Sequence, residues 1–360
     1  MQLPYHYDKG IALVNLKRYE DAIKEYDIAI KINPYITDYH NGKGVALVNL
    51  KRYEEAIGEL FNARKYNEAL EEIDIAINLN PDNPYYHHIK GLTLDMLKRY
   101  EDAIKEYDIA INLNPDNPDY HYDKGLALVN LKRYEDAIKE YNKAIELDPN
   151  DSWFHYNKAG TLFNLKRYED AIKEYNKAIE LDPTEPEFHY KKSIKLNSLK
   201  NYEGALNEID KALKLNPNEP WYHFKKAGLL SNPGEALEEY DSAIRLRPEE
   251  PRYHVAKADM LYDICYHNLM NAEFEITPDP YDEALKEYNI AIGLEPNSPW
   301  HHFKKAELLD DLGKYEEAIM EYDKAIAITP GDAQLHYCKA STLNRFEHYG
   351  EALEEYYTLL

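Results

Sequence analysis

The segment NLKRYEDAIKEYNKAIELDP stands at Asn130–Pro149 and again, letter for letter, at Asn164–Pro183. The offset is 34 residues, and self-similarity at a fixed period of this size marks an array of stacked supersecondary units. Within the segment, Ala137, Tyr141 and Ala144 are four and seven residues apart, as are Ala171, Tyr175 and Ala178. Spacings of four and seven put side chains on one face of a helix. The helix is closed by Asp-Pro or Asn-Pro (Pro34, Pro81, Pro115, Pro149, Pro183, Pro217). Proline cannot continue a helix, while Asn83-Pro84 and Asn117-Pro118 supply a cap and a first turn for the next one.

Sliding outward by 34 residues recovers a His in ten repeats: His6, His40, His87, His121, His155, His189, His223, His254, His302 and His336. Three residues later each repeat carries Lys, from Lys9 to Lys339. Four later comes Gly, Ala or Ser, and seven later always Leu, from Leu13 to Leu343. The same spacing argument predicts a first amphipathic helix ahead of the second. The unit is therefore helix, turn, helix.

At these residues the chain resembles the tetratricopeptide repeat family. The small residue, the Leu, the paired Ala places, the Tyr between them and the closing Pro match the family pattern over nearly the whole chain. Two departures are systematic: the family's usual Trp is His in all ten repeats, and its usual Leu three later is Lys. The resemblance implies an all-α fold, a right-handed superhelical solenoid of antiparallel helix pairs. Its first helices would line a concave groove that holds a peptide or helix of another protein.

The chain reads as a single array over 1–360, with repeats at 3–36, 37–83, 84–117, 118–151, 152–185, 186–219, 220–250, 251–298, 299–332 and a truncated 333–360. Three repeats break the period. In the second, 13 extra residues would rotate one continuous helix face out of phase, so a break near Asn62–Lys65 is expected. FNARKYNEAL (Phe61–Leu70) mirrors VNLKRYEDAI (Val129–Ile138), which makes Tyr53–Ala63 a helix shared between two pairs. The eighth repeat gains 14 residues around HNLMNAEFEITPDP, read as an extended first helix and then a loop near 267–280. The seventh is three shorter, with Ser231-Asn232-Pro233-Gly234 as a tight turn. Long loops often carry function, and surface drift of this kind is also cheap.

Composition narrows the function classes. Against 43 Lys plus Arg stand 66 Asp plus Glu, a formal net charge of −23. Such a polyanion repels phosphate backbones, whose binding depends on Lys and Arg displacing counterions, so nucleic acid is not an expected partner. No stretch has the roughly 18 apolar residues needed to cross a bilayer, and MQLPYHYDKG lacks a signal core. Cys265 and Cys338 are too few for a disulfide framework, which fits a cytoplasmic protein.

Ten aligned histidines invite a metal hypothesis. Neighbouring first helices lie roughly 8–10 Å apart, whereas zinc ligands each sit about 2 Å from the ion. One His per repeat is poorly pitched for that, and the rings are expected to pack between helices. The Lys three residues on is expected to bury its stem and leave its ammonium in water. The sequence shows no Ser/His/Asp arrangement, Cys-x-x-Cys, Gly-rich phosphate loop or His-x-x-x-His. It reads as non-enzymatic, with no cofactor and no metal.

The groove should be lined from the places two before the His, one and two after it, five after, and eight or nine after. One after the His, seven of ten residues are Tyr or Phe, among them Tyr156, Tyr190, Phe224 and Phe303. Two before it stand all three tryptophans, Trp153, Trp221 and Trp300, together with Tyr85. Two after it, in later repeats, stand Lys191, Lys225 and Lys304. Aromatics beside cations on rigid helices are the material of recognition hot spots. The same rings could instead close the joints between repeats.

One family specialisation is testable directly. Chaperone-binding members use a carboxylate clamp, which here needs Lys one after the His and Asn five after it. No repeat has that Lys, and the five-after row runs Ile11, Val45, Leu92, Leu126, Gly160, Ile194, Gly228, Asp259, Glu307, Ser341. The sequence therefore predicts an interaction scaffold for a protein segment, and not a co-chaperone of that kind. Two other readings remain: a self-associating solenoid, since uncapped ends expose apolar surface, or the targeting portion of a larger enzyme. The oligomeric state is left open.

Overall fold

A computed structural model of the chain describes residues 3–50, 52, 55, 58, 65–271 and 280–358. Among these residues all regular structure is helical. The framework divides into two compact units, Met1–Pro183 and Thr184–Leu360. The first holds α1 (Leu3–Asn15), α2 (Tyr19–Ile32), α3 (Thr37–Asn49), α4 (Tyr66–Leu79), α5 (Pro84–Met96), α6 (Tyr100–Leu113), α7 (Pro118–Asn130), α8 (Tyr134–Leu147), α9 (Ser152–Asn164) and α10 (Tyr168–Leu181). The second holds α11 (Pro186–Ser198), α12 (Tyr202–Leu215), α13 (Pro220–Ala227), α14 (Pro233–Leu246), α15 (Pro251–Asn271), α16 (Pro280–Leu294), α17 (Pro299–Asp311), α18 (Tyr315–Ile328), α19 (Ala333–Arg345) and α20 (Tyr349–Tyr357).

One repeat shows how the sequence makes the unit. Asn117 caps α7 by accepting the Asp119 amide at 2.9 Å, with Pro118 in the first turn. The helix stops because Lys132 adopts φ 60°: its amide returns to the Val129 carbonyl at 2.9 Å, and that of Arg133 to Leu128 at 2.8 Å. These are the two bonds of a Schellman stop, which occupies carbonyls that would otherwise lack partners. Arg133 then spans the next first turn to Asp136 at 2.9 Å, and α8 runs to the extended residue Asp148. A connection this short folds the two helices back against each other.

The core is the seam between each pair and the next first helix. Ala137, Tyr141 and Ala144 are fully buried, as are their equivalents Ala103, Tyr107 and Ala110. A Cβ built at Gly125 would stand 2.6 Å from the Tyr141 ring, and one at Gly91 2.4 Å from Tyr107, so the ring and the first-helix backbone are in direct contact.

Two later first helices differ in length from the rest. α13 has only 8 residues, and Asn232 starts α14 by accepting the amides of Gly234 and Glu235. α15 has 21 residues against 13 for α11, α17 and α19. The shared helix at Tyr53–Ala63 and the loop near 267–280 fall largely outside the described residues. Beyond them the chain resumes as α4 at Tyr66 and α16 at Pro280.

Candidate partner-binding face

The first helices are held by a repeated ionic clamp. In unit 1, Nδ1 of His121 lies 2.7 Å from Glu140 on the following second helix, and the Lys124 ammonium reaches the other oxygen of that carboxylate at 2.6 Å. Lys124 also reaches back to Asp108 on the preceding second helix at 2.8 Å. His87 and Lys90 repeat this with Glu106 and Asp74. In unit 2, His223 and Lys226 do so with Glu239 and Asp210, and His336 and Lys339 with Glu355 and Asp323. The other ring nitrogen of His87, His223, His254, His302 and His336 faces the carbonyl of Pro81, Pro217, Pro248, Pro296 and Pro330. One first helix is thus tied to the second helices on both sides.

This corrects the expectation for Lys. Its ammonium is not left to water but lies between carboxylates, because a half-buried amine must be paired or neutralised. The electrostatics follow. Burial would push the Glu208 carboxyl up, but hydrogen bonds from His189, Lys192 and Lys211 outweigh it and hold it at about 2. Glu321 is held at about 2 in the same way by Lys305, His302 and Lys324.

The row one after the His divides from the row two before it. Tyr190 is 6% exposed, in a cluster with Ile209, Ala212, Leu213 and Tyr222. Phe303 is 4% exposed, among Leu309, Ala318, Tyr322 and Leu335. Phe224 stacks between Trp221 at 5.1 Å and Tyr253 at 5.1 Å, and half-buried Tyr156 meets Tyr175 edge-on at 5.9 Å. These rings close joints: each packs on its own second helix, on the next first helix, or on both. By contrast Tyr85, Trp153 and Trp300 are 48%, 41% and 54% exposed. Trp300 borders a cleft with Pro299, Phe303, Asp332, Gln334 and Leu335.

Trp221 departs from its row. Its indole N–H donates to the Tyr190 hydroxyl at 2.5 Å, and the Lys225 ammonium and Arg252 guanidinium lie 4.4 and 5.1 Å from its ring. Burial and the neighbouring Arg252 push the Lys225 ammonium down. Lys191 pairs with Glu187 at 3.2 Å. Lys304 lies 5.7 Å from the Trp300 ring and pairs with Glu307 at 3.0 Å.

The sequence comparisons identify the repeat. A family model described as tetratricopeptide repeat matches residues 7–64, 59–118, 97–152, 122–186 and 156–220, and a TPR repeat model matches 307–343. The chain belongs to the tetratricopeptide repeat family. The C-terminal part of a TPR repeat-containing protein from Cytophaga hutchinsonii superposes with a TM-score of 0.56 at 19% identity, covering 68% of this chain and 96% of that one. The likeness is one of fold. Yeast Tom70 matches at 17% identity and TM-score 0.47, over 98% of this chain and 90% of that one. Pseudomonas aeruginosa PilF matches at 19% and 0.48, over 62% and 97%. Comparison with curated proteins finds no match.

Within this tetratricopeptide repeat chain, the two departures from the family pattern form one device, since the His and the Lys hold the same glutamate. Spacing along a single helix could not reveal this, because the partner stands 19 residues away across the turn. The sequence reading also missed a cluster of acidic residues on the first helices of the eighth and ninth repeats. Its signal was present in the places five, eight and nine after the His, where Asp259, Asp263, Glu307, Asp310 and Asp311 stand.

Proposed function

We propose that this chain is a non-enzymatic scaffold that binds an extended or helical segment of a partner protein along the face its first helices turn away from their second helices. The observation that carries the reading is the exposure of Tyr85, Trp153 and Trp300 on helices that the His-Lys-Glu clamp ties to their own second helices. Large rings left in water cost burial energy that the neighbouring joints gain, and rigid aromatic anchors are what interfaces use. The aromatic rows therefore have separate roles: Tyr156, Tyr190, Phe224 and Phe303 support the helices, and the exposed rings make contact.

The test is a double change, Trp153→Ala with Trp300→Ala. Partner protein recovered from the source cell by the parent chain, with its bound segment mapped, should be lost from the variant while helicity and melting temperature stay within about 2 °C. Retained binding would remove the reading.

A further inference from the structure

The places five, eight and nine after the His divide the chain. In repeats one to seven they hold a single ionisable residue, Asp95; the rest are apolar, Gly, Asn or Ser. In repeats eight and nine, five of these six places are acidic and the sixth is Tyr262. All belong to α15 and α17, which unit 2 packs against each other. Together with α19 they border a cleft lined by Tyr262, Glu307, Asp310, Asp311, Tyr337 and Arg345, with Tyr322 and Cys338 among its other walls.

These carboxylates work against the fold. Asp310 is only 6% exposed, and its Oδ1 has no hydrogen-bond partner, although Oδ2 meets Arg345. Burial, eased only in part by the Tyr288 hydroxyl and Lys304, pushes the Asp259 carboxyl up. Four carboxylates, Asp259, Glu307, Asp310 and Asp311, are met by two cations, Lys304 and Arg345, which leaves an unbalanced negative charge. The other repeats carry mostly apolar, Gly, Asn or Ser residues at these positions, with Asp95 and Arg345 the charged exceptions, so helix packing does not demand a run of acids here. A half-satisfied buried carboxylate is costly, and such cost is expected where a ligand completes the set.

We infer that the cleft between α15, α17 and α19 receives a basic segment of a partner protein, with an arginine or lysine of that segment completing the carboxylate set of Asp310, Asp311 and Glu307. This rests on the first-helix face being the binding face, and it assigns that face a charge preference. The carboxylates stand on two helices, α15 and α17, and among the described residues no three of them converge on one point, which suits an extended cationic chain better than a metal ion. Tyr337, 57% exposed at the cleft edge, supplies an aromatic surface on which a guanidinium can stack.

The test uses the full chain and two fluorescein-labelled dodecapeptides on a leucine and alanine background, one with arginine at every third place and one with glutamate there. Polarisation should show the arginine peptide bound and the glutamate peptide not. Affinity should fall at least ten-fold in Glu307→Gln with Asp311→Asn. It should change less than two-fold in Glu316→Gln with Glu317→Gln, which removes the same charge from exposed places on α18. Equal losses in the two variants would show a response to net charge alone and overturn the inference. Tighter binding of the glutamate peptide would overturn it too, while leaving a binding face that the Trp153→Ala, Trp300→Ala variant tests separately. Binding of neither peptide would also overturn it.

Discussion

His189 and Glu208 are joined through Nδ1 and Oε2 at 2.6 Å, both side chains more than nine-tenths buried, with Lys192 on the second carboxylate oxygen at 2.8 Å. The folded Glu208 carboxyl titrates at about 2 against an ordinary value of 4.5. Its stabilisation is therefore present above pH 4.5 and is lost as pH falls toward 2. Glu321 behaves alike. Melting followed from pH 7 to pH 2.5 should show stability falling below about pH 4.5. Glu208→Gln should flatten that limb and destabilise at pH 7 by about 3 kcal/mol, because it leaves buried cations without their carboxylate. An unchanged acid limb would show that the clamp contributes nothing.

His336 titrates in the opposite sense. Its Nδ1 faces Glu355 at 2.6 Å and its Nε2 faces the Pro330 carbonyl at 3.1 Å, and two acceptors are both satisfied only by the doubly protonated ring. The Glu355 hydrogen bond raises its pKa above the usual 6.5. The stabilisation it gives is complete below pH 6.5 and is lost as pH rises through the raised value. NMR titration of the His336 ring should place its midpoint above 6.5, and Glu355→Gln should bring it down.

The turn inside each repeat makes a third prediction. Lys132 adopts φ 60° and Lys166 φ 61°, while the ninth repeat has Gly313 at φ 70°. A left-handed non-glycine residue costs roughly 1 kcal/mol. Lys132→Gly should therefore stabilise by up to about 1 kcal/mol in urea unfolding, and Gly313→Ala should destabilise by a similar amount. Side-chain contacts do not set this effect, since nothing lies within 4 Å of a Cβ built at Gly313.

Trp221 and Trp300 occupy equivalent places and should behave differently. Trp221 donates to the Tyr190 hydroxyl and lies beside two cations, whereas Trp300 projects over a cleft. Trp221→Ala should lower the melting temperature by several degrees, a cost of about 2–4 kcal/mol. Trp300→Ala should leave it nearly unchanged. Equal effects would contradict the division of the aromatic row.

That division marks how far the sequence was legible. The period, the helix pair and the stop at Pro149 depend on neighbours close in sequence, so spacing revealed them. Whether a ring is covered depends on the next repeat. Tyr190 is buried because Tyr222, 32 residues on, lies 4.9 Å away across the joint, and no single-helix periodicity contains that distance. The acidic places on α15 and α17 were readable from the rows five, eight and nine after the His. They were obscured because the whole chain is acidic, so five more carboxylates did not stand out until the structure put Glu307, Asp310 and Asp311 in one cleft.

Glu72 offers the sharpest test of the clamp, because it occupies the same place in the 34-residue period as Glu106, Glu140 and Glu208 but has lost its partners. In the sequence, the places 19 and 16 residues before it hold Tyr53 and Ala56 instead of His and Lys. Its Oε2 is buried with no hydrogen bond, and burial together with Glu71 raises its pKa. A raised carboxylate opposes folding once ionised, so here stability should be gained as pH falls through the raised value, the reverse of Glu208. Glu72→Gln should then stabilise the chain at pH 7 by about 1 kcal/mol, while Glu208→Gln destabilises it. Two identical substitutions at one repeat position, measured in the same urea titration, are expected to shift the midpoint in opposite directions. Shifts of the same sign would show that the cations of the clamp do not decide the worth of its carboxylate.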